Sequence, residues 1–188
     1  MSIVQKYQGP LVSLPIVEED GKPLPGNFVQ LSSLTPKYGT VNTTLSSGSI
    51  LPALVDTGTT NVQIPPTIAD SIYKYAGAVP SGDGNGLVPC NLGTANANLT
   101  FGFGGDNGIK NVVPLRELVL SYTGQAHFRD GSPACELSVQ ALSPGGKILG
   151  DTFLRSAYIM YNMEANKIGL AQSAPDKNAG TDIVEDPV

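Results

Sequence analysis

The chain is poor in charge. Only 14% of its 188 residues are Asp, Glu, Lys or Arg, against about 25% in an average globular protein. The balance is net negative, −5, without any cluster of Lys and Arg, which argues against nucleic acid and anionic membrane as partners. There is no tryptophan and a single histidine. Any Ser-His-Asp or Cys-His arrangement must therefore use His127. That residue lies in the polar stretch Gln125 to Ala134, and no Ser sits in a nucleophile-elbow pattern, so His127 reads as a solvated loop residue. Two cysteines and one histidine cannot build a structural zinc site of the usual kind. The P-loop pattern is absent, and nothing calls for a cofactor. No apolar run reaches the roughly 18 residues of a membrane span. Met1 to Glu18 lacks the basic start, apolar core and small-residue cleavage site of a signal peptide, and no apolar C-terminal tail points to a lipid anchor.

Turn formers are plentiful instead: 22 Gly and 15 Pro, in a chain that is 40% hydrophobic. That length carries one domain with a proper core, or two small ones at most. Strand signals recur along it. Leu11 to Ile16 alternates, Glu18 to Gly26 is a polar turn, and strands are expected from Phe28 and over Thr40 to Leu45. Ile50 to Val55 is a short apolar run that stops at Asp56-Thr57-Gly58. Pro66 to Ala76 is the best helix, with Pro at its first position, Gly77 where it should stop, and Ala69, Ile72, Tyr73 and Ala76 on one face. Val79 to Gly86 reads as a loop. Leu99, Phe101 and Phe103 alternate with Thr100 and Gly102, so one face is buried. Leu115 to Tyr122 is mixed; Leu137 to Leu142 and Lys147 to Gly150 read as strands. Ala157 to Asn162 and Lys167 to Gln172 form a hairpin, and a polar tail runs from 173 to 188. The expected class is all-β, β-rich with one or two short helices.

Cys90 and Cys135 are either a bridge closing a long loop or two buried thiols; low charge and abundant turns favour the bridge and a secreted protein. Asn42-Thr43-Thr44 and Asn98-Leu99-Thr100 are glycosylation acceptors. With 12 Asn and 28 Ser and Thr in the chain, about two such sites arise by chance, so they permit a secretory route without supporting it.

Two segments could carry chemistry. In Leu54-Val55-Asp56-Thr57-Gly58-Thr59-Thr60, an Asp held in a tight turn with hydroxyls as donors can keep a low pKa. In Ile148-Leu149-Gly150-Asp151, two apolar residues and a glycine describe a strand passing tightly behind something. Each alone is better explained by an ordinary strand and turn. Together and in this order, with a helix between and a hairpin after, they resemble the C-terminal lobe of pepsin-like aspartic proteases, most of all the secreted fungal candidapepsin- and yapsin-like branch. The stretch from Ile148-Leu149-Gly150-Asp151-Thr152-Phe153-Leu154-Arg155 to Ile159 carries the likeness most strongly. Lys6 to Val12 and Ile168-Gly169-Leu170-Ala171-Gln172 add to it.

The resemblance implies a single lobe of a bilobal acid protease over 1–172, with Asp56 as one of two catalytic carboxylates. In such dyads one carboxylate acts as base on a water and the other donates a proton to the scissile carbonyl, and mutual repulsion splits their pKa values. It implies that Thr57 braces the turn against the partner lobe. Gly58, Thr59, Thr60 and Ile148 would meet an extended peptide substrate. Ile148, Leu149 and Gly150 would pass behind the turn, Asp151 would sit close to it, and Cys90–Cys135 would be the lobe's disulfide. It departs from relatives at Asn61-Val62-Gln63, where bulky apolar or Tyr residues are frequent. There is no second Asp-Thr-Gly or Asp-Ser-Gly; Asp130-Gly131-Ser132 has the wrong order. The expected partner is thus an N-terminal lobe, in cis or in trans, with peptides as substrates, and the chain alone is expected to be inactive. Two other readings fit one motif per chain: a retroviral-type homodimer, and a non-catalytic pseudo-protease lobe that grips peptides or proteins. The resemblance places the protein in the secretory pathway or outside the cell.

Overall fold

A computed structural model describes residues 6–38, 41–42, 51–82, 84–105, 108–121, 126–142 and 147–174. The strands in chain order begin with β1 (Tyr7–Pro15), β2 (Glu18–Glu19), β3 (Lys22–Pro23), β4 (Phe28–Tyr38), β5 (Val41–Asn42), β6 (Leu51–Val55) and β7 (Val62–Ile64), followed by helix α1 (Pro66–Ala76). Next come β8 (Val79–Pro80), β9 (Gly86–Pro89), a 3-10 turn over Cys90–Thr94, β10 (Ala97–Phe103), β11 (Ile109–Pro114), helix α2 (Leu115–Leu118) and β12 (Val119–Ser121). The chain closes through β13 (Ala134–Leu137), β14 (Val139–Ala141), β15 (Ile148–Leu149), helix α3 (Asp151–Leu154) and the hairpin β16 (Ala157–Asn162) and β17 (Lys167–Ser173). The protein is all-β with a few short helices, the class its turn-rich composition calls for.

The main sheet runs β11-β10-β4-β6-β15-β7-β14, with β5 on β4. Its core side is set by the alternation on β10: Leu99, Phe101 and Phe103 are fully buried, and Phe101 pairs with Leu34 across to β4. Phe153 of α3 packs edge-on against Phe101 and Phe103, ring centroids 5.0 and 5.8 Å away. Burial of one such ring stabilises by about 1.5–3 kcal/mol, so α3 is anchored firmly to the sheet. Among the described residues there are also a three-stranded sheet β1-β17-β16, a four-stranded sheet β12-β13-β9-β8 and the two-stranded β2-β3. The first joins the main sheet through side-chain amides: Asn111 Nδ2 on β11 donates to Ala171 O at 2.9 Å, and Gln172 Nε2 donates to Val112 O at 3.1 Å.

Helix α1 has the expected bounds. Pro66 opens it, and Gly77 ends it in the left-handed region (φ 66), donating its N–H to Tyr73 O. Ala69, Ile72 and Tyr73 are buried. Elsewhere the short elements differ from expectation. The segment from Val79 to Gly86 is not all loop, since β8 pairs with β9 through Val79↔Leu87 and Pro80↔Gly86; the two residues of β8 give no readable period. The run from Leu137 to Leu142 is not one strand. It breaks at buried Ser138, whose N–H donates to Leu118 O, and its halves join different sheets. Beyond Val41–Asn42 the strand expected to Leu45 lies outside the described residues, as does the tail from 175.

Cys90 and Cys135 are disulfide-bonded across 45 positions, tying the 3-10 turn to β13. A loop of that length corresponds to about 4 kcal/mol in the chain-entropy model. Replacing both cysteines by Ser is expected to lower the unfolding free energy by about 2–4 kcal/mol, read from the urea midpoint and slope together, since a looser unfolded chain also steepens the slope.

Candidate active site

Strand β6 is apolar and buried at Ala53 and Val55, and its last residue hands the chain to Asp56. Strand β7 carries it away, with Val62 and Ile64 buried. These two arms do not pair with each other. Strand β15 lies between them, parallel to β6 (Ile148↔Leu54, Leu149↔Val55) and antiparallel to β7 (Ile148↔Gln63, Leu149↔Val62). The turn 56–61 therefore wraps over the end of β15, and Asp56 N–H donates to Leu149 O at 3.2 Å.

Gly150 sits under this turn. A Cβ built there lies 2.5 Å from Asn61 O and closer still to Thr59 O, so no side chain fits without moving the turn. The chain then enters α3, where Asp151 N–H donates to Thr59 O at 2.8 Å and Thr152 N–H to Thr60 O at 3.1 Å. The carboxylate of Asp151 is turned away to Arg155 Nη2 at 2.6 Å. Asp151 thus touches the turn through its backbone, and its ion pair is half-exposed, a geometry worth little.

The Asp56 carboxylate is held by both oxygens. Gly58 N–H donates to Oδ1 at 2.9 Å, and the Thr59 hydroxyl donates to Oδ2 at 2.6 Å. Donors to the charged form favour ionisation. The Thr59 hydroxyl first, and the Gly58 amide second, hold Asp56 below the ordinary 3.8. Since its folded pKa is lowered, the stabilisation linked to Asp56 is present above the unfolded value of 3.8 and is lost as pH falls through the lowered value. Thr59→Val deletes the larger cause, so the Asp56 carboxyl midpoint, followed by carbon NMR, is expected to rise towards 3.8.

The other motif residues lie on or beside this turn. Thr57, Gly58 and Thr60 are exposed, and Thr59 is half-buried with its hydroxyl committed to Asp56. Ile148 is half-buried in β15, between the two arms. One residue escaped the sequence reading. The Tyr161 phenol on β16 is pushed up, by burial first and by the negative charge of Asp56 second, so it belongs to the electrostatic surroundings of the turn. Nothing in the alternation of β16 singles it out from Tyr158. Also missed is a row of buried polar side chains beneath Thr60 and Asn61. Among the described residues no group of His, Cys, Asp and Glu could hold a metal ion, and no helix is long and apolar enough to cross a membrane.

Residues 4–173 match the family model described as eukaryotic aspartyl protease. The chain belongs to that family. A probable aspartic-type endopeptidase, opsB, of Aspergillus oryzae is 35% identical over 90% of this chain and 34% of its own length. The acid protease of Saccharomycopsis fibuligera is 30% identical over 89% of this chain and 40% of its own. Candidapepsin-3 of Candida albicans is 30% identical over 89% and 38%. The chain therefore spans little more than a third of the length of the curated relatives it matches.

Proposed function

We propose that this aspartyl-protease lobe supplies Asp56 as one of the two carboxylates of an acid endopeptidase, the other coming from an N-terminal lobe. The observation that carries the reading is the carboxylate itself. It opens the turn that follows β6, half-exposed, braced by Gly58 and Thr59 and backed by β15.

A carboxylate held ionised is suited to be the base. Asp56 takes a proton from a bound water as the water oxygen bonds to the scissile carbonyl carbon, while the partner carboxyl gives its proton to the carbonyl oxygen. Collapse of the resulting diol breaks the C–N bond. The proton on Asp56 passes to the departing amine, and the partner carboxylate recovers one from a diol hydroxyl, so both groups return to their starting states. Exposed Thr57, Gly58 and Thr60 border the space where an extended peptide lies, and Thr57 faces the companion lobe. The relatives include a secreted aspartic protease of Candida albicans, which supports an extracellular or secretory setting, and the disulfide suits such an oxidising compartment.

Joined to an aspartic-protease N-terminal lobe, the chain is expected to cleave unfolded protein at acidic pH and to lose that activity on Asp56→Asn. Cleavage by the joined protein that is indifferent to Asp56 overturns the reading.

A further inference from the structure

Directly behind the Asp56 turn lies a line of polar side chains in a place that apolar ones could fill. Ser138 and Thr152 have no exposure at all, and Asn85 has 5%. The Thr152 hydroxyl donates to Thr60 O at 3.1 Å and lies 3.2 Å from the Ser138 hydroxyl. Ser138 Oγ donates to Asn61 Oδ1 at 2.6 Å, and Asn61 Nδ2 donates to Asn85 Oδ1 at 3.3 Å. The row thus gathers four segments: the active turn, the start of β9, the break between β13 and β14, and α3. Proton accounting fixes its sense. Two hydroxyls bring two protons to three contacts, so with Ser138 committed to Asn61, Thr152 divides its proton between Thr60 O and Ser138 Oγ.

We propose that Ser138, Asn61 and Asn85 are positioning residues for Asp56, holding the Thr60–Asn61 end of the turn so that Gly58 and Thr59 stay aimed at its carboxylate. Burying these groups is unfavourable unless each is bonded, and well-packed apolar replacements are often neutral for stability. What apolar groups cannot do is fix the orientation of peptide planes. Here the carbonyls of Thr59 and Thr60 are already gripped by the Asp151 and Thr152 amides. The side-chain row adds a restraint on the Asn61 side chain, at the junction of the turn with β7. Ser138 is itself immobilised, its N–H bonded to Leu118 O and its carbonyl accepting from Val62 N–H, so it is a fixed post from which Asn61 is held. The inference rests on Asp56 being the catalytic group, but its test does not need catalysis.

The experiment is a carbon NMR titration of Asp56 in the whole chain, with Asp130 as internal reference; Asp130 is lowered by its own bonds from Ser132, hydroxyl first and amide second. Ser138→Ala and Asn85→Ala are expected to move the Asp56 midpoint up and leave that of Asp130 unchanged. Gln63→Ala is the structural control. It deletes the Gln63–Gln140 bond between β7 and β14, close to the row but outside it, and should leave Asp56 where it was. An Asp56 midpoint unmoved in both folded variants, or moved as far by Gln63→Ala, overturns the proposal. If Ser138→Ala fails to fold, Asn85→Ala at the outer end of the row decides alone. Loss of the endopeptidase reading shows instead as indifference of cleavage to Asp56, whatever the titrations give.

Discussion

Asp56→Asn is expected to abolish peptide hydrolysis in any assembly of this lobe that shows it, by on the order of 10⁴-fold, the upper end of what a positioned acid–base group contributes. The amide has nearly the shape of the carboxylate and can still accept from the Gly58 amide, so the fold should persist. What it cannot do is take a proton from water. With the peptide placed against exposed Thr57, Gly58 and Thr60 as proposed, substrate binding should change little, so the loss falls on kcat rather than KM. A melting temperature within about 2 °C of the parent, a shift worth less than about 1 kcal/mol at this size, would separate a catalytic loss from a folding one. Equal losses in kcat and in folded fraction would assign Asp56 to structure instead.

Gly150→Ala has the largest expected effect on stability. The added methyl collides with two carbonyl oxygens of the Asp56 turn, those of Thr59 and Asn61. Both belong to backbone tied down on either side, since Thr59 O accepts from Asp151 N–H and the chain runs on at once into β7. Neither can swing away as a side-chain tip would. Forced overpacking typically costs about 1–3 kcal/mol and occasionally more. Here the relaxation must separate β15 from the turn, so at least about 3 kcal/mol is expected, or about 6–12 °C in Tm for a chain of this size. Gly82→Ala is the matched control: nothing lies within 4 Å of its built Cβ, and the change should be neutral or slightly stabilising. A Gly150→Ala protein as stable as the parent would mean that β15 does not pass beneath the turn as described.

Much of this was legible in the residues. Pro66 and Gly77 bracketed α1, and the alternation of Leu99, Phe101 and Phe103 marked the core face of β10. The apolar run into Asp56-Thr57-Gly58 and the pattern Ile148-Leu149-Gly150 marked the two segments that meet at the site. Their meeting was visible only through family likeness, because nothing local says that a strand so far along the chain will lie between the arms of the turn. The breaks were hidden for a physical reason. Ser138 ends one strand and starts another in a different sheet, yet in a run from Leu137 to Leu142 a single Ser looks like one more outward-facing residue. Its burial depends on Asn61, Thr152 and Leu118, all distant in sequence. Asn85, in a stretch rich in Gly and Asp, looked like turn chemistry, whereas its side chain points into the protein to meet Asn61.

The central claim is that one carboxylate per chain is not enough. The most direct test is acid-pH cleavage of an unfolded protein by the purified chain over a wide concentration range, with and without a transition-state-analogue inhibitor of aspartic proteases. Complete inactivity at every concentration is the predicted result, since a single Asp56 cannot serve as base and acid on the same water. Inhibitor-sensitive cleavage that rises with the square of the concentration would contradict it, and would mean that two copies of Asp56 meet across a homodimer.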